Sequence, residues 1–298
     1  MKDIMTQAQH KINLTGKLLD ATFSTGKTND GRTWERANVT IRVTQTYGGR
    51  EETSEIPVTM FAMEYTNKGA LNPGWKSIQD LKNMKTVQNF GLDSADSIRL
   101  TGASIRENAF VTKQGMLVDG WQLNSSFCNV TKMSDIAAFI IDIFIMDMHP
   151  EEDRDGDATG RLVIKGGIVQ YGGKLDVLEF IVEQPEAVDY IERNWNPNDT
   201  VTIQGRIRVT SVEEKKSGMD SSWGEAVPDT TTRYIRELII TKGDDEGKEE
   251  EFAYDPMEIK KAFNVRKANI EQLQIDAQNK ANKSATQSSA SASKYSWD

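Results

Sequence analysis

From about residue 11 to residue 242 the apolar positions recur with a period of two, the mark of half-buried strands. In Trp34–Tyr47 (WERANVTIRVTQTY), Val39, Ile41 and Val43 share one face, and Arg36, Asn38, Thr40 and Arg42 take the other. In Glu55–Tyr65 (EIPVTMFAMEY), Ile56, Val58, Met60 and Ala62 share the apolar face. Thr59, Phe61, Met63 and Tyr65 then point outward. Ile12–Phe23, Ser97–Glu107 and Val118–Asn129 read as further strands, with a short helix over Trp75–Phe90. The order then starts again. Ile136–Met148, Arg161–Tyr171 and Leu175–Val182 read as strands, and Pro185–Asn194 as a helix with proline in its first turn. Thr200–Val212 and Arg233–Lys242 close the series.

Residue identities mark this as an internal repeat. Tyr47-Gly48-Gly49 and Tyr171-Gly172-Gly173 each end the second strand of a unit. The fourth strands, SIRLTGASIR from Ser97 and TVTIQGRIRV from Thr200, both have glycine in the sixth place, Gly102 and Gly205. Two landmarks in the same order, on matching strand patterns, point to duplication. Five strands with a helix between the third and fourth is the plan of the OB-fold, and a glycine in the fourth strand suits a barrel that bends there.

On these features the chain resembles the tandem OB-fold single-stranded-DNA-binding proteins of bacteriophages and bacteria. The expected fold is mainly β. It comprises two five-stranded barrels, 1–135 and 136–242, an acidic linker and helix over 243–282, and a disordered tail over 283–298. The helix is expected from Pro256 to about Asn279, because Asp255-Pro256-Met257-Glu258 supplies an N-cap, a first-turn proline and an acid. From Lys283 the residues are too small and polar to pack. The layout resembles bacterial members of that group, in which a polar tail ends in a tip read by partner proteins. The resemblance assigns that role to Tyr295, Trp297 and Asp298. This tip departs from the pattern, with a single acid and a tryptophan before it in place of several acids and a final phenylalanine.

Composition narrows the chemistry. One cysteine, Cys128, cannot form an intramolecular disulfide, and two separated histidines, His10 and His149, exclude zinc fingers and leave no Ser-His-Asp set. Neither an enzyme nor a cofactor is expected. Asp153, Asp155 and Asp157 alternate as in a calcium loop, but Ala158 and Ile164 stand where that loop needs glycine and an acid. The apolar run Ile136–Met148 is too short to span a bilayer and no signal peptide is visible, so a cytoplasmic protein is expected, in the host cytoplasm if phage-encoded.

Net charge is −9, which at first argues against a nucleic-acid partner. The charge is unevenly spread: +2 over residues 1–135, −8 over 136–242 and −3 over 243–298. A phosphate-binding groove needs local positive charge, which the first unit can supply. There the strand parity sets Phe61 and Tyr65 beside Arg36 and Arg42, with Trp34 leading into the face and Arg50 and Lys68 in flanking loops. Aromatics that stack on bases, beside cations that neutralise phosphates, are what a sequence-tolerant single-strand binder needs. Arg99 and Arg106 in the fourth strand are further phosphate candidates, whereas Trp75 and Trp121 read as core or lid residues. In the second unit the outward positions are Val177, Glu179, Ile181 and Glu183, a poor phosphate surface that suits a structural or protein-interaction module.

The expectation is therefore a single-stranded-DNA-binding protein of replication or recombination. Partner proteins would be met through the tail, and an oligomer is compatible with this reading. The alternative is a virion or assembly protein that uses its OB-folds as interaction modules.

Overall fold

The alternating segments become two barrels joined by one continuous sheet. The structure, a computed structural model, describes residues 5–112, 116–118, 120–153, 155–216 and 229–292. In the first barrel β1 (His10–Lys27), β2 (Thr33–Tyr47) and β3 (Arg50–Met63) form an antiparallel meander. The Trp75–Phe90 region holds two helices, α1 (Pro73–Leu81) and α2 (Val87–Phe90), where one was expected. Asn72 caps α1 by accepting from the Gly74 amide at 2.9 Å, and proline follows it.

The fourth strand is bent into β4 (Ser97–Thr101) and β5 (Ser104–Glu107). A short hairpin, β6 (Phe110–Val111) and β7 (Leu117–Val118), follows. The fifth strand is bent into β8 (Trp121–Ser125) and β9 (Phe127–Val130). β8 runs parallel to β3 and antiparallel to β5, β9 pairs with β4, and β4 returns to β1, so the barrel closes. Leu14, Leu18, Ile41, Ile56, Met60, Ile98, Leu100 and Ile105 fill it and are fully buried.

The second barrel repeats this plan. β10 (Ile136–Glu152), β11 (Ala158–Val169) and β12 (Leu175–Val182) form the meander. α3 (Pro185–Asn194) follows, then β13 (Thr200–Lys216) and β14 (Asp229–Gly243). β12 runs parallel to β14, β14 pairs with β13, and β13 returns to β10. Phe139 and Phe180 meet in its core with ring centroids 5.8 Å apart.

Registers confirm the repeat pair by pair. Lys17 opposite Ser97 and Leu14 opposite Leu100 correspond to Phe144 opposite Thr200 and Ile141 opposite Ile203. The first strand of each unit carries a bulge at the same place, after Leu18 and after Ile145. The two landmark glycines coincide in the fold but act for different reasons. Gly102 takes φ +63°, which a side chain resists, while at Gly205 a Cβ would drive into the Ile239 carbonyl and the Phe139 ring. The Tyr-Gly-Gly turns match less closely. Gly48 and Gly49 make a two-residue hairpin between Tyr47 and Arg50, while Tyr171–Gly173 forms a wider turn spanned by the Gln170 amide donating to the Lys174 carbonyl at 2.7 Å.

The barrels meet through the same segment of each. β1 and β10 pair antiparallel from His10 opposite Ile141 to Thr15 opposite Ile136. Because Leu14 corresponds to Ile141 and His10 to Ala137, this pairing is symmetric about Ile12 opposite Phe139, an internal two-fold. Polar ties reinforce it. Arg106 pairs with Asp176 at 2.6 Å, Glu107 accepts from the Val177 amide at 3.2 Å, and Arg206 binds Glu52 while lying 4.2 Å from the Tyr47 ring centroid.

The final helix α4 (Pro256–Ala292) runs past the expected end near Asn279 and takes in residues 283–292, where a disordered tail was expected; the alanines and lysines of that stretch favour helix, its serines and threonine less so. Its first turns cover the second barrel: Ile259 packs with Phe144, Val169, Leu175 and Val177, and Arg266 reaches Glu107 at 2.7 Å. Val177, expected to face outward, is therefore buried within the chain itself, and Ile181, also expected outward, is buried as well. Among the described residues no helix is long and apolar enough to cross a membrane.

Candidate nucleic-acid interface

On the outer face of β1, β2 and β3 the register lays side chains in rows across three strands: Gly26–Trp34–Met63, Ser24–Arg36–Phe61, Thr22–Asn38–Thr59 and Asp20–Thr40–Pro57. Trp34 lies flat on Gly26, where any Cβ would collide with the indole, and its ring is 5.9 Å from Phe61 at 32°. Phe61 is 50% exposed and Tyr65 52%. Both would be covered if the Asn67–Phe90 segment packed over them, and it does not.

Lys68 stands in the turn closed by the Thr66 amide donating to the Ala70 carbonyl at 2.8 Å. Arg32 donates to Asn67 at 3.3 Å, tying the β1–β2 turn to that turn. Trp34, Arg36, Phe61, Tyr65 and Lys68 thus gather at one end of the barrel. Arg36 and Lys68 are exposed, and neither makes an ion pair among the described residues. Arg32 was not singled out in the sequence because it stands in a turn, outside the strand parity; it pairs with Asp30 at 2.7 Å.

The other candidates lie elsewhere. Arg42 sits further along β2, half-buried opposite Glu55. Arg50 is at the far hairpin tip, about 35 Å of extended strand from Phe61. Arg99 faces out between Thr15 and Asn129 on the β1–β4–β9 wall and donates to the Met133 sulfur at 3.5 Å. Arg106 is engaged by Asp176 at the seam between the barrels. Trp121 is buried and Trp75 packs against the core, as expected of them. Tyr295, Trp297 and Asp298 lie outside the described residues.

The second barrel carries the same rows with different chemistry. Leu18 opposite Ile41 and Ile41 opposite Ile56 correspond to Ile145 opposite Gly166 and Gly166 opposite Leu178. Stepping equally along the strands brings Ser24–Arg36–Phe61 onto Glu151–Arg161–Glu183. The arginine is kept, and both its neighbours have become carboxylates. Arg161 donates to Glu151 at 2.6 Å and to Glu237 at 2.9 Å, and lies 3.5 Å from Glu183. Glu183 also takes Arg206 at 2.8 Å and Arg208, and Arg208 binds Glu237 at 2.8 Å.

These groups are mostly buried. Burial works to raise the Glu183 carboxyl, but the guanidinium groups of Arg208 and Arg206 outweigh it and hold it below the ordinary range. The hydrogen bond from Arg161 does the same for Glu151. Three arginines that could otherwise meet phosphate are thus committed to carboxylates.

Burial pushes the Cys128 thiol up to about 12. Among the described residues no cluster of His, Cys, Asp or Glu could hold a metal ion. Asp153 instead closes its own turn, accepting from the amides of Asp155 and Asp157 at 2.9 Å.

A family profile described as YorF matches residues 9–276. Comparison with curated proteins finds no match. Among solved structures, the fold is similar to a deletion variant of the single-stranded DNA binding protein from Thermus aquaticus. The TM-score is 0.50 at 13% identity, over 85% of this chain and 99% of that one. For the wild-type protein of the same organism the TM-score is 0.48 at 11% identity, over 82% and 96%. The first of these likenesses is one of fold.

Proposed function

The chain belongs to the YorF family, and we propose that it binds single-stranded DNA without reading its sequence. Bases would stack on Phe61 and Tyr65, with Trp34 backing Phe61, while Arg36 and Lys68 neutralise phosphates. One observation carries this reading. The outward row of the first barrel sets Arg36, without an ion pair among the described residues, beside a half-exposed aromatic, while the equivalent row of the second barrel is closed by carboxylates. The fold shared with the single-stranded DNA binding protein from Thermus aquaticus supports the same reading. Stacking serves any base, because every base has a π-face, so the site needs no donor or acceptor code.

The test is a titration of fluorescent oligo-dT with the full chain at low and high salt. Binding that weakens steeply with salt is expected. Absence of binding at low salt would overturn the proposal.

We place the protein in replication or recombination, with Tyr295, Trp297 and Asp298 recruiting a protein of that process. Deleting residues 283–298 should leave DNA affinity the same or higher and remove a partner from pull-downs. An unchanged partner set would refute the recruitment.

A further inference from the structure

The second barrel reaches across to the first. Its β13–β14 ladder extends beyond the barrel as an arm, with Val209 opposite Arg236 and Ser211 opposite Tyr234. The arm is fixed to β3, where the Val209 amide donates to Ser54 Oγ at 3.2 Å. Between arm and barrel lies a groove of about 310 Å³ whose lining includes Asp20, Thr40, Pro57, Tyr234 and Arg236. Asp20, Thr40 and Pro57 form the fourth row of the face that carries Arg36 and Phe61. Tyr234 is 58% exposed and also lines an adjoining groove of about 260 Å³ toward Thr53 and Ser211. Arg236 is exposed and makes no ion pair among the described residues.

We propose that Tyr234 and Arg236 form a second stacking and phosphate-binding station for the same single strand, so that the binding surface is composite, with its floor from the first barrel and its wall from the second. This rests on the reading of the Phe61 platform. From Phe61 to Pro57 is four strand positions, about 13 Å. At the duplex rise of about 3.4 Å per nucleotide along one strand, that distance is about four nucleotides, and fewer where the strand is stretched. Pro57 offers an apolar ring with no amide to satisfy and lines the same groove as the exposed Tyr234, so a base entering the groove meets both. Asp20 and Glu55 on the floor disfavour phosphate there, which places the backbone along the rim by Arg236. The acidic second barrel thus contributes through its arm alone, since its own equivalent face is closed by ion pairs.

The experiment measures full-chain variants against oligo-dT of graded length. Tyr234→Ala should weaken binding of long oligonucleotides by about 5- to 150-fold, the fold-change equivalent of one stacked base. It should leave the shortest bound oligonucleotide, which reaches only the Phe61 end, unchanged. Tyr234→Phe should bind like the parent, because the ring is kept. Arg236→Gln should lower the salt slope on long oligonucleotides by about 0.7. If Tyr234→Ala binds long oligonucleotides as the parent does while Phe61→Ala does not, the composite station is refuted and the platform stands. If neither variant changes affinity, or the parent does not bind at all, both readings fall.

Discussion

At the scale of single residues, the difference between the two barrels comes down to the two positions that flank one arginine, Ser24 and Phe61 in the first and Glu151 and Glu183 in the second. Phe61 and Glu183 occupy equivalent places beside equivalent arginines, Arg36 and Arg161. A phenyl ring leaves its arginine free for a phosphate, and a carboxylate consumes it. Phe61→Ala and Tyr65→Ala are each expected to weaken oligo-dT binding by about 1–3 kcal/mol, measured by fluorescence titration on protein shown to be folded. Arg36→Ala should act mainly on the salt slope, lowering it by about 0.7 because one phosphate fewer is neutralised. Unchanged affinity in both aromatic variants would remove the platform.

At the scale of elements, the strand that joins the barrels is also where pH should act on stability. His10 opens β1, is largely buried, and accepts from the Ile105 amide at 3.0 Å through Nε2. Burial, then Arg106, lowers its pKa from 6.5 to about 4, with Asp176 opposing. The folded form therefore holds His10 neutral where the unfolded chain would protonate it. Its contribution is whole above pH 6.5 and is lost as pH falls toward about 4. Denaturant midpoints should decline over that window, and His10→Gln should flatten the decline. Glu151 and Glu183, both held under the ordinary carboxylate range, add a further loss that begins as pH falls through about 4.5 and continues below it as they protonate. The fourth strand of the second barrel is equally constrained. Gly205→Ala forces a methyl into the Ile239 carbonyl and Phe139, and thermal unfolding should show a loss of at least about 1–3 kcal/mol.

At the scale of the whole molecule, the two barrels are one body by hydrogen bonding and divided in task. The β1–β10 ladder, the Arg106–Asp176 pair, Arg206 on Glu52, and α4 spanning to Glu107 all cross the seam. Separate fragments would expose a strand edge and orphan these charges, so the division of labour is better tested in the full chain. Arg161→Ala should leave the salt slope of DNA binding unchanged. It should lower stability by less than the about 3–5 kcal/mol of a fully buried broken pair, because Glu151 loses its partner while partly buried and Glu237 keeps Arg208. A fall in the salt slope without a fall in stability would reverse the assignment.

The sequence alone determined the barrels and one face of the site. Period-two alternation assigns each strand residue to inside or outside, because a strand has only two faces, and this was enough to set Arg36 and Phe61 on one surface. The repeated glycines gave the duplication, although they could not show that Gly102 answers to backbone twist and Gly205 to lack of space. Parity says nothing of position along a strand, so Arg42 and Arg50 were grouped with residues that lie far from them. It says nothing of what covers an outward face: Val177 and Ile181 read as outward and suited to a protein contact, and both are buried within the chain, Val177 under α4. Arg99, Arg106, Tyr234 and Arg236 differ in what the tertiary structure sets beside them: an outer wall, Asp176, or the rows of the first barrel. Those neighbours are separated from them by many residues of chain, and only the closed strand registers and the packing of one barrel on the other bring them together.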